Sequence, residues 1–178
     1  CAYEPLMHPG LEAILAIGAD YDLPEWGFVT NGSLLSERIA EAMIRSRMRV
    51  LSVSIDAATP QTYRAIRGVD AFEKVIANVR ALQARKAAQS SELPHLLSNF
   101  VLMRMNLDEA LPYLELCREL GVEDVTFVHM MPRSLENEQS LLHEPEKYAA
   151  VYREARAFAE RHKMRVVLPA PFTEVELA

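Results

Sequence analysis

Short apolar runs and amphipathic helical patterns take turns along these 178 residues. That alternation is the strongest constraint on the fold, because a strand–helix–strand rhythm with short connections favours an α/β architecture built on a parallel sheet. The runs are "WGFVT" at 26–30, "VLSVSI" at 50–55, "LLSNFVLMRM" at 96–105, "DVTFVHMM" at 124–131 and "RVVLP" at 165–169. Between them lie helical patterns at 10–18, from Ser36 onward, from Pro60 to about Ile66, from Ala71 to about Lys86, from about Asn106 to Gly121, and through Tyr148, Val151, Tyr152, Ala155 and Phe158. The pattern suits part of a βα barrel or an open doubly wound sheet.

Several boundaries have local signals. Ser36 can cap its helix, and Thr59-Pro60 pairs an N-cap with proline at the first helical position. Asn106 and Glu109 fit the start of a helix, and Gly121 its end. Residues 87–95 and 132–143 read as loops.

One strand breaks the expected pattern. A parallel strand covered on both faces is continuously apolar. In "LSVSID", Leu51, Val53 and Ile55 alternate with Ser52, Ser54 and Asp56. A packed polar face would need buried partners at a few kcal/mol per unpaired group. The face therefore either looks into a lumen or crevice that holds a polar ligand, with Asp56 at the carboxyl end where such ligands bind, or Asp56 caps the next helix or closes a turn, with the serines satisfied by backbone. Other strand ends are also polar: Glu4-Pro5, Thr30-Asn31-Gly32, and Arg104 with Asn106. Each is also ordinary turn or cap chemistry.

Net charge is −6, with no basic block to attract nucleic acid. No apolar run reaches membrane-spanning length. Two cysteines, Cys1 and Cys117, give neither a disulfide scaffold nor metal-ligand spacing, and point to a reducing, cytoplasmic setting. Cys117 lies on an apolar helical stripe and reads as core, as do Met103, Met105, Met130 and Met131. His8 reads as a capping or surface residue and His129 as a core histidine. Glu136, Glu138, Glu144 and Glu146 read as a solvated run. With no initiator methionine, the chain reads as one domain, residues 1–178, from a longer protein cut at both ends.

The ordered segments "YEPLMHPGLEAIL", "VTNGSLLSERIAEAMI", "LSVSIDAATPQTYRAIRGVDAFEKVIANVRAL" and "NFVLMRMNLDEALPYLELCRELGVEDV" resemble the core of radical SAM (S-adenosylmethionine) enzymes. The likeness is greatest to members with a C-terminal auxiliary-cluster (SPASM or twitch) domain, which this chain lacks. The resemblance implies a partial (βα)6 TIM-like barrel missing its first βα unit, with SAM at the strand carboxyl ends.

It implies that the backbone around Ala2, Tyr3 and Glu4 receives the SAM amino group, although Ala2-Tyr3 replaces the usual small glycines. Thr30, in the turn with Asn31, and Ser54 match positions at the methionine end. Asp56 matches the acidic residue that holds the ribose hydroxyls. Arg67 and Arg104 are alternatives for the SAM carboxylate, and Asn106 is adenosine-side or structural.

It also implies a [4Fe–4S] cluster held by a C-x3-C-x2-C loop. That loop is absent from this sequence, so the cluster ligands are expected before Cys1 in a parent protein. An electron donor such as flavodoxin or ferredoxin, and a substrate the sequence does not name, complete the expected partners. Two rival expectations stand beside this one. One is a non-radical βα-barrel enzyme using Asp56 or Glu4 as acid/base, and the other a degenerate binding module without catalysis.

Overall fold

The computed structural model describes residues 4–21, 23–24, 26–122, 124–131 and 137–172. The expected strand ending at residues 1–3 lies outside them. Among the described residues, five strands alternate with six α-helices: α1 (Leu11–Ala19), β1 (Gly27–Thr30), α2 (Glu37–Arg45), β2 (Val50–Ser54), α3 (Pro60–Arg67), α4 (Phe72–Ala88), β3 (His95–Leu102), α5 (Ala110–Glu119), β4 (Asp124–His129), α6 (Pro145–His162) and β5 (Arg165–Val167).

The strands form one sheet in the order β1-β2-β3-β4-β5. β1 runs parallel to β2 with Gly27 opposite Val50, and β4 parallel to β5 with Asp124 opposite Arg165. Strands that neighbour one another in strict chain order are the topology of a barrel segment. A doubly wound sheet would reverse its order at a switch point. Of the two architectures left open by the hydrophobic pattern, this strand order is consistent with the partial barrel.

Contacts divide the chain into two compact units. The first comprises Cys1–Ile55 and Ala71–Ser98, the second Asp56–Asp70 and Asn99–Ala178. In the first, Leu15, Met43, Met48, Leu51, Val75 and Leu82 are almost wholly buried, each contributing about 2 kcal/mol of transfer free energy. In the second, Phe100 of β3 packs its ring 4.6 Å from Tyr113 of α5 and 5.2 Å from Phe127 of β4. Tilted rings at these separations suit the aromatic quadrupole.

The boundary signals at Ser36 and Thr59-Pro60 hold, whereas Glu109 makes no cap for α5, which begins at Ala110. Ser36 accepts from the Ile39 N–H, and Thr59 from the Thr62 N–H with Pro60 opening α3. Cys117 is fully buried on α5. His8 accepts from the Gly10 N–H, and His129 lies 4.8 Å from the rings of both Tyr148 and Phe172.

Three expectations are corrected. β3 ends at Leu102, and residues Arg104–Glu109 form a short 3-10 helix, so neither Arg104 nor Asn106 belongs to the strand. The cause is Asn106, whose Oδ1 accepts from the Met103 N–H and whose Nδ2 donates to the Val101 carbonyl, folding the chain back on itself. Met105 and Met131 are exposed rather than core. Glu144 is more than a solvated charge, because it holds Arg104.

Candidate functional site

Two polar clusters stand at strand carboxyl ends, one in each unit. In the first unit, β1 ends at Thr30, and Asn31-Gly32 turns the chain, with Gly32 at φ +74. A left-handed residue there is far cheaper for glycine than for a side chain with a Cβ. Asn31 spends its side-chain oxygen on the Ser33 N–H (2.9 Å) and hydroxyl (2.7 Å), and Asn78 of α4 clamps the turn by donating to the Gly32 carbonyl at 2.9 Å.

Glu4 docks its carboxylate onto this turn. It accepts from the Thr30 hydroxyl at 2.5 Å, the Asn31 N–H at 2.8 Å and the Leu6 N–H at 3.1 Å. A carboxylate offers about four acceptor positions, so about one remains after these three donors. Ser54, at the end of β2, is half-buried. Tyr3 lies outside the described residues.

In the second unit, Asp56 follows directly after β2. It does not continue the pleat, because β2 stops at Ser54 and Asp56 adopts φ +64. Asp is one of the few residues with a side chain that tolerate this conformation. Strict alternation had placed Asp56 on one face with Ser52 and Ser54, and the left-handed turn re-aims it.

Asp56 is only 4% exposed. Its Oδ1 accepts from the Val101 N–H at 2.7 Å, and its Oδ2 pairs with the Arg67 guanidinium at 2.5 Å. Burial pushes its pKa above the ordinary value of 3.8, while the Arg67 charge and the Val101 hydrogen bond oppose that rise. Burial also raises the Tyr63 hydroxyl, an effect that the Asp56 charge adds to and Arg67 offsets.

Asn106 is wholly buried and donates to the Asp56 carbonyl at 3.0 Å. Arg104 engages all three of its guanidinium nitrogens, through Glu144 at 2.9 Å and the Glu138 carbonyl at 3.0 Å. The structure thus joins Asp56, Arg67 and Asn106 in one cluster, and Glu4, Thr30 and Asn31 in another.

Glu109 was read only as a helix-start residue, yet it reaches α3. Its carboxylate accepts from the Ala58 N–H, the Thr59 hydroxyl and the Thr62 hydroxyl, each at 2.6 Å. The signal that could have found it is the Thr59-Pro60 helix start, which leaves donors needing an acceptor.

Among the described residues, no three His, Cys, Asp or Glu side chains gather as a metal site. The sequence holds only two cysteines, so these residues do not fit a [4Fe–4S] ligand set. They do fit SAM in their donor chemistry. Carboxylate and hydroxyl oxygens suit an ammonium group, and the two acceptor positions remaining on Asp56 suit a diol. No helix among the described residues is long and apolar enough to cross a membrane.

Residues 2–104 match the model of the Radical SAM superfamily. The chain is similar to a probable GTP 3′,8-cyclase of Saccharolobus solfataricus, with 28% identity over 172 residues, 94% of this chain and 54% of that protein. It is also similar to an AdoMet-dependent heme synthase of Methanosarcina barkeri, with 37% identity over 119 residues, 66% of this chain and 32% of that protein. The chain thus spans about half the length of the cyclase and a third of the heme synthase. Its fold is shared with Streptococcus suis SuiB bound to S-adenosylmethionine, at a TM-score of 0.70, 11% identity, 92% of this chain and 35% of that one.

Proposed function

Because the chain belongs to the Radical SAM superfamily, we propose that it forms the SAM-binding part of an enzyme that abstracts hydrogen from its substrate. SAM held at this site would supply, once reduced by a cluster bound outside these residues, the radical chemistry of that abstraction. The protein's part is to bind, orient and keep out water. The observation that carries the reading is Asp56, a buried carboxylate at the end of β2, held by the Val101 N–H and Arg67 with acceptor positions to spare.

In this reading Asp56 accepts from the ribose hydroxyls. Glu4, the backbone at Tyr3 and Asn31, and the hydroxyls of Thr30 and Ser54 serve the amino-acid end. Arg67 and Arg104 are the two candidates for the SAM carboxylate; Arg67 stands beside Asp56, and Arg104 is held by Glu144 and the Glu138 carbonyl. Asn106 supports Asp56 from behind. The cluster would be held by a C-x3-C-x2-C loop outside these 178 residues, with a flavodoxin or ferredoxin as electron source. Placement among members with an auxiliary SPASM or twitch domain is part of the proposal. The names of the GTP 3′,8-cyclase and the heme synthase put a nucleotide and a heme-type molecule among the candidate substrates.

Asp56→Ala tests the reading in the full-length protein. SAM affinity should fall about tenfold or more, the loss of a charge-assisted pair of hydrogen bonds, with far-UV circular dichroism unchanged. Unaltered affinity in a folded variant overturns the role of Asp56. Anaerobic reconstitution with an assay for 5′-deoxyadenosine tests the chemistry.

A further inference from the structure

We infer that Glu109 is a positioning residue for Asp56, acting through the turn that joins β2 to α3. The inference rests on the SAM reading for its purpose and on geometry for its substance. Asp56 holds a left-handed backbone, and its loop must turn from strand to helix by Pro60. The segment Arg104–Glu109 pins that turn at two points. Asn106 takes the Asp56 carbonyl, and two residues further along the turn Glu109 takes the Ala58 N–H. The same carboxylate holds the Thr59 and Thr62 hydroxyls, closing the first turn of α3.

Glu109 does nothing comparable for its own helix, since its side chain makes no capping hydrogen bond to α5. A negative charge at the amino end of α3 is also favoured by the helix dipole. The carboxylate is therefore committed to the Asp56 turn. Its loss would leave Asn106 as the one described pin on the turn's backbone from this segment, and Asp56 could swing away from the Val101 N–H.

The test combines SAM binding with amide exchange in the full-length protein, using Glu109→Gln, which keeps the side-chain length, beside Glu109→Ala. Glu109→Gln should weaken SAM binding about tenfold, the scale of a lost hydrogen bond to a charged group. In an Asp56→Ala background the same change should cost less than about twofold, because additivity fails for residues acting through one another. The Val101 N–H should exchange faster while core amides of β3 keep wild-type rates.

Wild-type affinity and wild-type Val101 exchange in both variants overturn the inference. So does a loss that adds fully to that of Asp56→Ala, which is what a merely stabilising residue would give. If the wild-type protein takes up no SAM, the SAM reading falls, and Val101 exchange alone decides whether Glu109 holds Asp56 in place.

Discussion

Each compact unit keeps a carboxylate at a strand end, and the two are kept by different means. Glu4 is half-buried and rests on neutral donors, two main-chain N–H groups and one hydroxyl. Asp56 is nearly sealed from solvent and has a guanidinium, one main-chain N–H and a left-handed backbone. Solvent makes the difference. A carboxylate that water still reaches needs only a few well-aimed dipoles. One taken out of water costs several kcal/mol unless a cation stays with it.

The largest expected effect follows from removing that cation. Arg67→Met should cost about 3 kcal/mol at neutral pH by urea denaturation, because it strands a buried charge. The loss should depend on pH in a defined direction. The folded-state pKa of Asp56 already lies above its unfolded value of 3.8. Such a group favours folding below the unfolded value and loses that contribution as pH rises through the folded one. Without Arg67 the folded pKa climbs further, so the variant's deficit should shrink as pH falls towards 4. A deficit constant across pH would show that Arg67 matters through packing alone.

A smaller effect is expected at the other carboxylate. Glu4→Gln places an amide donor against the Thr30 hydroxyl or the Asn31 N–H, and should cost about 1.5 kcal/mol. Urea denaturation checks it, and a loss as large as that of Arg67→Met would erase the contrast between the two sites. The smallest is expected at Arg85 on α4, a half-buried side chain that pairs with exposed Glu37 at 2.8 Å and half-buried Glu41 at 3.5 Å. Arg85→Ala should change stability by no more than about 0.5 kcal/mol.

How far the sequence could be read depended on how far apart the partners lie. Ser36 and Thr59-Pro60 announce their helices because donor and acceptor are three residues apart. The polar face of "LSVSID" was visible because strand alternation is local, and it led to Asp56. The φ of Asp56 was not visible, because the groups that impose it come from elsewhere. Asn106 reaches the Asp56 carbonyl across 50 residues, and Glu109 reaches Ala58 across 51. Asn106 looked like a cap, and it does cap, but backwards onto Met103, which ends β3 at Leu102, one residue after Val101 donates to Asp56. Arg67 and Arg104 looked equivalent as cations near strand ends. Their carboxylate partners, 11 and 40 residues away, give them separate tasks.

The left-handed backbone at position 56 also shapes which sequences could replace this one. A library randomised at that codon and ranked by stability should place Asp, Asn and Gly, which take φ +64 at little cost, above residues such as Ala that fold there about 1–2 kcal/mol less stably. Selected for ligand uptake, the same library should narrow to Asp. The gap between the two lists would measure, at one codon, how much of the constraint comes from the chain's own geometry and how much from what it binds.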